Sequence, residues 1–557
     1  MQIIFFIISI LISIYINLMV FQDKYSPVLI YWWLLSIIFM IFFSVFGKRI
    51  KINFLNRKFS KKYLFLFLII LLPAIIRIMN YIPNRFHGDD LMTAYFSATH
   101  DFTKINFFSG IPQDKVQWVS QFPTMFFALQ RIFFIFFGET LLSVKLSVIP
   151  YVIVISLMLF LIVRAILNIK TAVIAVVLYA FLAVSLYHET TGLHFISSTA
   201  VFTVFFYFAL LQWKNNNSFY SVITGLLCGF CYLFYNSSFI ALPFMVIFYF
   251  LQLIRLKELA VFRNFVLALI AFLIVLSPYL TYAFKYNNYF VSRTSQVSLL
   301  SGSWSGVKDK IARGESSTLN EIKDSLIISL KSFYYDDVGG HGGYDFGHLA
   351  FFEKYSLYLF ILGFVTGILL IFCRFELIFI FLTTLFCFGA MVFSTPPPAY
   401  HRFSLSFPFL SIILSIPFYI LLSLNTTNRL IRYTVCVIFV FTYMYFNQQY
   451  FLKSIKGEDY HESIIISDYI NNNLPGRNIY VAAYPGFGFD KVYYFSQGKN
   501  AKSITTGYHD GFLKNFNPNE KYVYAIIFPE AFNEKFQQLD PNGKIINISK
   551  GYSLFAN

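Results

Sequence analysis

The sequence predicts a polytopic α-helical membrane protein of about thirteen transmembrane helices, closed by a small C-terminal α/β extracytoplasmic domain. Three observations carry that expectation. Hydrophobic residues make up 57% of the 557 and charged residues only 13%, a balance that excludes ordinary water-soluble folds. Apolar runs repeatedly reach the roughly 20 residues that a helix needs to cross the hydrocarbon core. After residue 448 the composition turns abruptly polar, with short apolar stretches between charged ones.

Hydropathy fits spans at about 3–21, 27–46, 63–82, 139–163, 170–187, 195–213, 218–235, 236–254, 263–285, 356–373, 376–394, 402–424 and 430–448. The first run lacks a basic leading segment and a small-residue cleavage site, and a second run follows at once. It therefore reads as a helix and not as a signal peptide. With the amino terminus in the cytoplasm, one set of loops collects Lys48 to Lys62, Arg164, Lys214, Arg255 to Arg263, Arg374 and Arg429, against only Glu258 and Glu376. That is the positive-inside bias. It explains the net charge of +16 as topology, so no nucleic-acid partner is expected. Cys228-Gly-Phe-Cys231 has redox-motif spacing but lies mid-span, where small residues pack helices.

Gln117 to Gly138 is also apolar. Its polar positions Gln117, Ser120, Gln121, Thr124 and Arg131 recur at helical spacing and leave a Phe-rich face, so it is expected to lie flat in the membrane interface. The tail alternates helix (Tyr460 to Asn472), strand (Asn478 to Ala483), helix (near Phe489 to Phe495), strand (Tyr522 to Phe528), helix (Pro529 to Gln538) and two closing strands (Lys544 to Ser549, Gly551 to Phe555). That order reads as an α/β module.

Ionisable residues at a membrane rim are expensive and usually functional. This threading gathers them outside: His87, Asp89 and Asp90 after the third span, His188, Glu189 and His194 after the fifth, Lys285 after the ninth, and His401 and Arg402 before the twelfth. No nucleotide is supplied there, so an outward-facing transferase would draw on an activated lipid such as a polyprenyl-phosphate sugar. Such chemistry needs a carboxylate to take the proton of an acceptor hydroxyl and cations to stabilise the departing phosphate. Asp89 or Asp90 suits the base, and Arg402 or Lys285 the phosphate. Plainer readings compete: an aspartate can merely cap a helix, and Arg402 or Lys285 can snorkel to the headgroups. His188 and His194 stand six apart, off a common helical face, which favours lining a cavity over holding a metal.

The order of these features resembles the GT-C glycosyltransferases, in the protein mannosyltransferase and aminoarabinose transferase-like branch. There an Asp-Glu pair follows an early span; Asp89-Asp90-Leu91-Met92-Thr93-Ala94-Tyr95 matches, with Asp at the usual Glu. Gln121-Phe122-Pro123-Thr124 through Phe137-Gly138 stands for the family's His-Pro-Pro and Phe-Gly turn, without the His and one Pro. Lys145 occupies a common Arg position, Ser185-Leu186-Tyr187 a Tyr-rich helix end, and His188-Glu189 with His194 replace an Arg and an Asp. Gly225-Leu226-Leu227 and the run Arg402 to Pro408 also match.

The resemblance covers roughly 63–450. It implies two N-terminal helices with a basic cytoplasmic loop (1–62), a transmembrane catalytic domain with external loops 83–138 and 286–355 (63–448), and the extracytoplasmic domain (449–557). It also implies inverting transfer from a polyprenyl-phosphate sugar donor to a glycan, lipid or protein acceptor outside the plasma (inner) membrane. Asp89 is then the base, and Asp90 a cap or a ligand of metal or acceptor. His87, Tyr95, Lys145, His188, Glu189, Lys285, His401 and Arg402 would bind substrate. No cofactor is certain, and a divalent cation stays a candidate. A flippase of lipid-linked glycans and a non-catalytic scaffold of the same fold are the competing readings.

Overall fold

The computed structural model describes residues 2–46, 61–82, 85, 88–100, 107–108, 122–286, 296–302, 306–338, 346–424, 428–456, 461–482, 494–495, 504–507, 521–527, 536–538, 540–549 and 552–557. Each expected span carries a helix. The first three are α1 (Gln2–Phe21), α2 (Val28–Phe46) and α3 (Lys61–Met79). Two short helices follow, α4 (Gly88–Thr99) and α5 (Met125–Phe137). The fourth span is shared by α6 (Leu141–Leu146) and α7 (Ile149–Ile166), the fifth by α8 (Ile169–Phe181) and α9 (Ala183–Glu189). Then come α10 (Phe195–Asn215), α11 (Ser218–Cys231), α12 (Ala241–Leu256) and α13 (Leu259–Lys285), and later the helices Lys354–Leu370, Leu377–Val392, Phe407–Ser423 and Arg429–Ser454. Among the described residues eight are long and apolar enough to cross a membrane, or nine if the bent pair α8–α9 is one span. On that measure the expected thirteen is not reached, because α11 and several others are shorter apolar helices.

Small residues set the closest approach. A Cβ on Gly225 of α11 would stand 2.0 Å from the Ala268 carbonyl oxygen of α13, so glycine is what lets these backbones meet. Trp33 of α2 donates its indole N–H to the Val275 carbonyl, 3.0 Å away. A polar seam ties α1 to α13: Asn17 donates to Ser277 Oγ at 2.9 Å and accepts from Thr281 Oγ1 at 2.8 Å.

α5 is shorter than expected, starting after Pro123. At 13 residues it is about 20 Å long, too short for a roughly 30 Å hydrocarbon core. Phe126, Phe127, Phe134 and Gln130 turn inward while Ile132, Ile135, Phe136 and Phe137 are exposed. The polar groups Thr124 and Gln130 are buried, and the outward face is apolar. Residues 117–121 of the expected helix lie outside the described residues.

In the tail, β1 (Asn478–Ala482), β2 (Ile504–Gly507), β3 (Tyr522–Ile527), β4 (Lys544–Ser549) and β5 (Tyr552–Ala556) form one sheet of order β2-β1-β3-β5-β4. β1 runs parallel to β2 and β3, and β5 antiparallel to β3 and β4. The helix His461–Asn473 covers it through Ile466 and Ile470. β2 was not expected. Of the two other expected tail helices only 494–495 and 536–538 are described, both helical.

Candidate active site

The acid pair opens α4, where negative charge meets the positive end of the helix dipole. Successive residues on a helix point about 100° apart, and the two acids diverge accordingly. Asp90, Thr93 and Ser97 form an inward stripe. Asp90 is fully buried and accepts from the Gly192 backbone N–H at 3.4 Å. Gly192 can come that close because it lies against the Val144 backbone, where a Cβ would stand 3.0 Å from the carbonyl oxygen. Ser97 donates to Gln130 Oε1 at 2.7 Å, and Gln130 donates to Ser147 Oγ at 2.9 Å. Asp89 is only half-buried, and its carbonyl accepts from Thr93 Oγ1 at 2.6 Å.

Two buried cations flank the acids. Lys145 lies within electrostatic reach of both Asp90 and Arg85. Its Nζ donates to the Ile82 carbonyl at 2.5 Å and to that of Arg85, which ties α6 to these two residues. Arg85 donates to the Tyr187 carbonyl at 3.0 Å and Thr190 Oγ1 at 2.9 Å, and its guanidinium stacks on the Tyr187 ring at 4.0 Å.

Glu189 has a fixed partner. The fifth span bends by 60° between α8 and α9. Arg77 of α3 fills the break, donating to the Ala180 and Tyr179 carbonyls at 2.7 and 3.2 Å, to Ser185 Oγ at 2.7 Å, and twice to Glu189 Oε2 at 3.0 and 2.7 Å. Tyr179 adds its hydroxyl to Glu189 at 2.8 Å. From the last long helix, Tyr443 donates to the Leu178 carbonyl at 3.1 Å and Asn447 accepts from the Ala183 N–H at 3.3 Å. Arg77 and Arg85 are absent from the sequence expectations. For Arg77 the available signal was a lone arginine inside an apolar run, which is costly there without a partner.

Each of the three histidines packs on aromatic rings. His194 packs against Phe122 and Tyr235, each at 4.9 Å between ring centroids. His401 faces Phe195 at 5.0 Å, and His188 lies between Tyr187 at 5.2 Å and Phe407 at 5.9 Å. Arg402 donates to the Thr395 carbonyl at 2.9 Å and lines a cavity of about 290 Å³ with Tyr235, Asn236, Ser237, Ser298 and Ser394. Tyr235 joins the two groups.

Lys285 is not brought to these groups by its contacts. It donates to the Phe21 carbonyl at 2.6 Å and pairs with Asp23, which also takes the Tyr286 hydroxyl. The Asp23 carboxyl is held below its usual range, chiefly by the hydrogen bond from Lys285. Tyr95 turns from the acids to the tail, edge-on to Tyr494 at 5.1 Å. His87 lies outside the described residues. Among the described residues no three His, Cys, Asp or Glu side chains gather as a metal-holding set.

The other ends of these helices are chemically unlike this rim. Gln212, Gln252 and Asn264 are buried there as neutral amides. Gln252 donates to the Gln212 carbonyl at 3.0 Å, and Asn264 to Asn216 Oδ1 at 2.9 Å. Charge stays partly exposed, as in the Lys214–Glu376 pair at 3.8 Å.

This arrangement of helices recurs in solved structures. ArnT from Cupriavidus metallidurans, bound to undecaprenyl phosphate, superposes with a TM-score of 0.57 at 9% identity, over 89% of this chain and 98% of that one. The chain has the GT-C fold. The Archaeoglobus fulgidus oligosaccharyltransferase in the apo form gives 0.51 at 13% identity, over 86% of this chain and 71% of the other. The archaeal oligosaccharyltransferase AglB from Archaeoglobus fulgidus, in complex with an inhibitory peptide and a dolichol-phosphate, gives 0.50 at 14%, over 89% and 75%. The family model for dolichyl-phosphate-mannose-protein mannosyltransferase matches residues 121–282, in line with the GT-C branch that the motif order resembles. No curated protein matches the sequence.

Proposed function

We propose that this protein is a membrane glycosyltransferase that moves a sugar from a polyprenyl-phosphate carrier to an acceptor on the outer side of the membrane. The observation that carries the reading is the divergence of the acid pair: Asp90 is sealed in, and Asp89 stays accessible at the start of α4. Asp89 takes the proton of the acceptor hydroxyl as its oxygen attacks the anomeric carbon. The bond from that carbon to the phosphate oxygen breaks from the opposite face, its electron pair leaves with the lipid phosphate, and the anomeric centre inverts. Arg402, beside its cavity, stabilises the growing phosphate charge, and Asp90 with Lys145 and Arg85 holds the turn that aims Asp89. The group of His194 and His401 around Phe195 supports a sugar site, since flat apolar faces with few polar groups suit such ligands.

The test is transfer of labelled sugar from lipid-linked donor in membranes that contain the full-length protein. Asp89→Asn at unchanged abundance should lower transfer by roughly 10²- to 10⁴-fold. Full activity in that variant would remove the assignment of Asp89 as the base. A flippase is disfavoured because, among the described residues of the helical body, the buried ionisable groups sit at one rim and not along a path between two.

A further inference from the structure

The described part of the C-terminal α/β domain reaches α4 through Tyr494 and Phe495. Phe495 is 2% exposed and packs with Leu91, Ala94 and Ala98, one stripe of α4, and with Phe134 and Val144. The Tyr494 hydroxyl donates to Glu139 Oε2 at 2.6 Å, and Arg131 donates to the other oxygen of Glu139 at 2.5 Å. The same Arg131 nitrogen donates to the Ala98 carbonyl at 2.7 Å, in the last turn of α4. A chain of hydrogen bonds therefore runs from the tail to the helix that starts with Asp89. Glu139 is 6% exposed, and a buried carboxylate that loses a donor pays a desolvation penalty, so its partners are held firmly. Burial and the bond to Glu139 both push the Tyr494 phenol above its ordinary range, so it remains a donor at neutral pH.

We infer that Tyr494, acting through Glu139 and Arg131, is a positioning residue for α4, so that docking of the C-terminal domain sets the aim of the acid pair. This rests on the transferase reading for its catalytic consequence, and on geometry alone for the docking. The distance between base and acceptor governs the rate steeply, and a misplacement of about 1 Å costs on the order of a hundredfold.

Tyr494→Phe keeps the ring against Tyr95 and removes only the hydroxyl, so the fold should survive. In the purified full-length protein, amide hydrogen exchange over residues 92–99 should speed up about tenfold, the loss of roughly one hydrogen bond to a charged group. Exchange in α12 should not change. In membranes with their own lipid-linked donor, kcat should fall about tenfold with KM held, because aim and not binding is lost. Unchanged exchange over 92–99 in both Tyr494→Phe and Phe495→Ala overturns the inference. A loss of transfer in Asp89→Asn with no kcat change in Tyr494→Phe refutes the positioning role alone. Faster exchange in Tyr494→Phe beside full transfer in Asp89→Asn refutes the role of Asp89 as the base alone.

Discussion

The two rims of the helical body solve the same problem with different chemistry. Both must satisfy backbone groups at helix ends in an apolar setting. The rim formed by α10, α12 and α13 uses neutral amides, Gln212, Gln252 and Asn264, and leaves its charges partly exposed. The opposite rim buries Arg77, Arg85, Asp90, Lys145 and Glu189, although buried ion pairs seldom stabilise a fold better than apolar residues would. Amides suffice for architecture, as the first rim demonstrates. In the second rim the buried cations take up the carbonyls of the broken fifth span and of the backbone near α4.

Substitutions can break that contrast, beginning with the largest expected effect. Asp89→Asn should lower transfer by roughly 10²- to 10⁴-fold, the range for a lost general base, with the melting temperature in detergent unchanged. Arg77→Met leaves Glu189 buried without its cation and should destabilise by about 3–5 kcal/mol, seen in thermal unfolding of the purified protein before any assay. Gln252→Leu, on the amide rim, should cost about 1–3 kcal/mol and leave transfer per folded molecule intact; a matching loss of transfer would erase the distinction between the rims. Lys214→Ala should change stability by about 1 kcal/mol or less, as for exposed pairs. Lys285→Met should leave transfer within about twofold, because an exposed pair such as Lys285–Asp23 couples weakly to anything beyond itself.

Hydropathy made the helical body legible, since a run such as Ile149–Ile166 has no other use for its residues. The acid pair stood out for a similar reason: carboxylates are scarce in this chain. Partnerships between distant segments were not legible. Lys285 looked like a phosphate ligand because nothing in its neighbourhood reveals Asp23, 262 positions away. Arg77 was hidden inside an apolar run and acquires meaning only from the break at Leu182, which no proline or glycine marks. β2 has four residues, too few for alternation to show. A helix within Gln117 to Gly138 was legible, but burial of Gln130 depends on Ser97 and Ser147, which sequence spacing alone does not bring together.

The bend in the fifth span has a consequence for how the protein is made. A broken helix in the bilayer is tolerated only where neighbours take up its freed backbone groups. Here Tyr443 and Asn447 serve the Leu178 carbonyl and the Ala183 N–H, 265 and 264 residues further along the chain. Until the last long helix leaves the ribosome, those backbone groups lack these two partners. Synthesis thus leaves the rim unfinished until the helix Arg429–Ser454 has been inserted, and a nascent chain stalled before Tyr443 should present the break to membrane quality control.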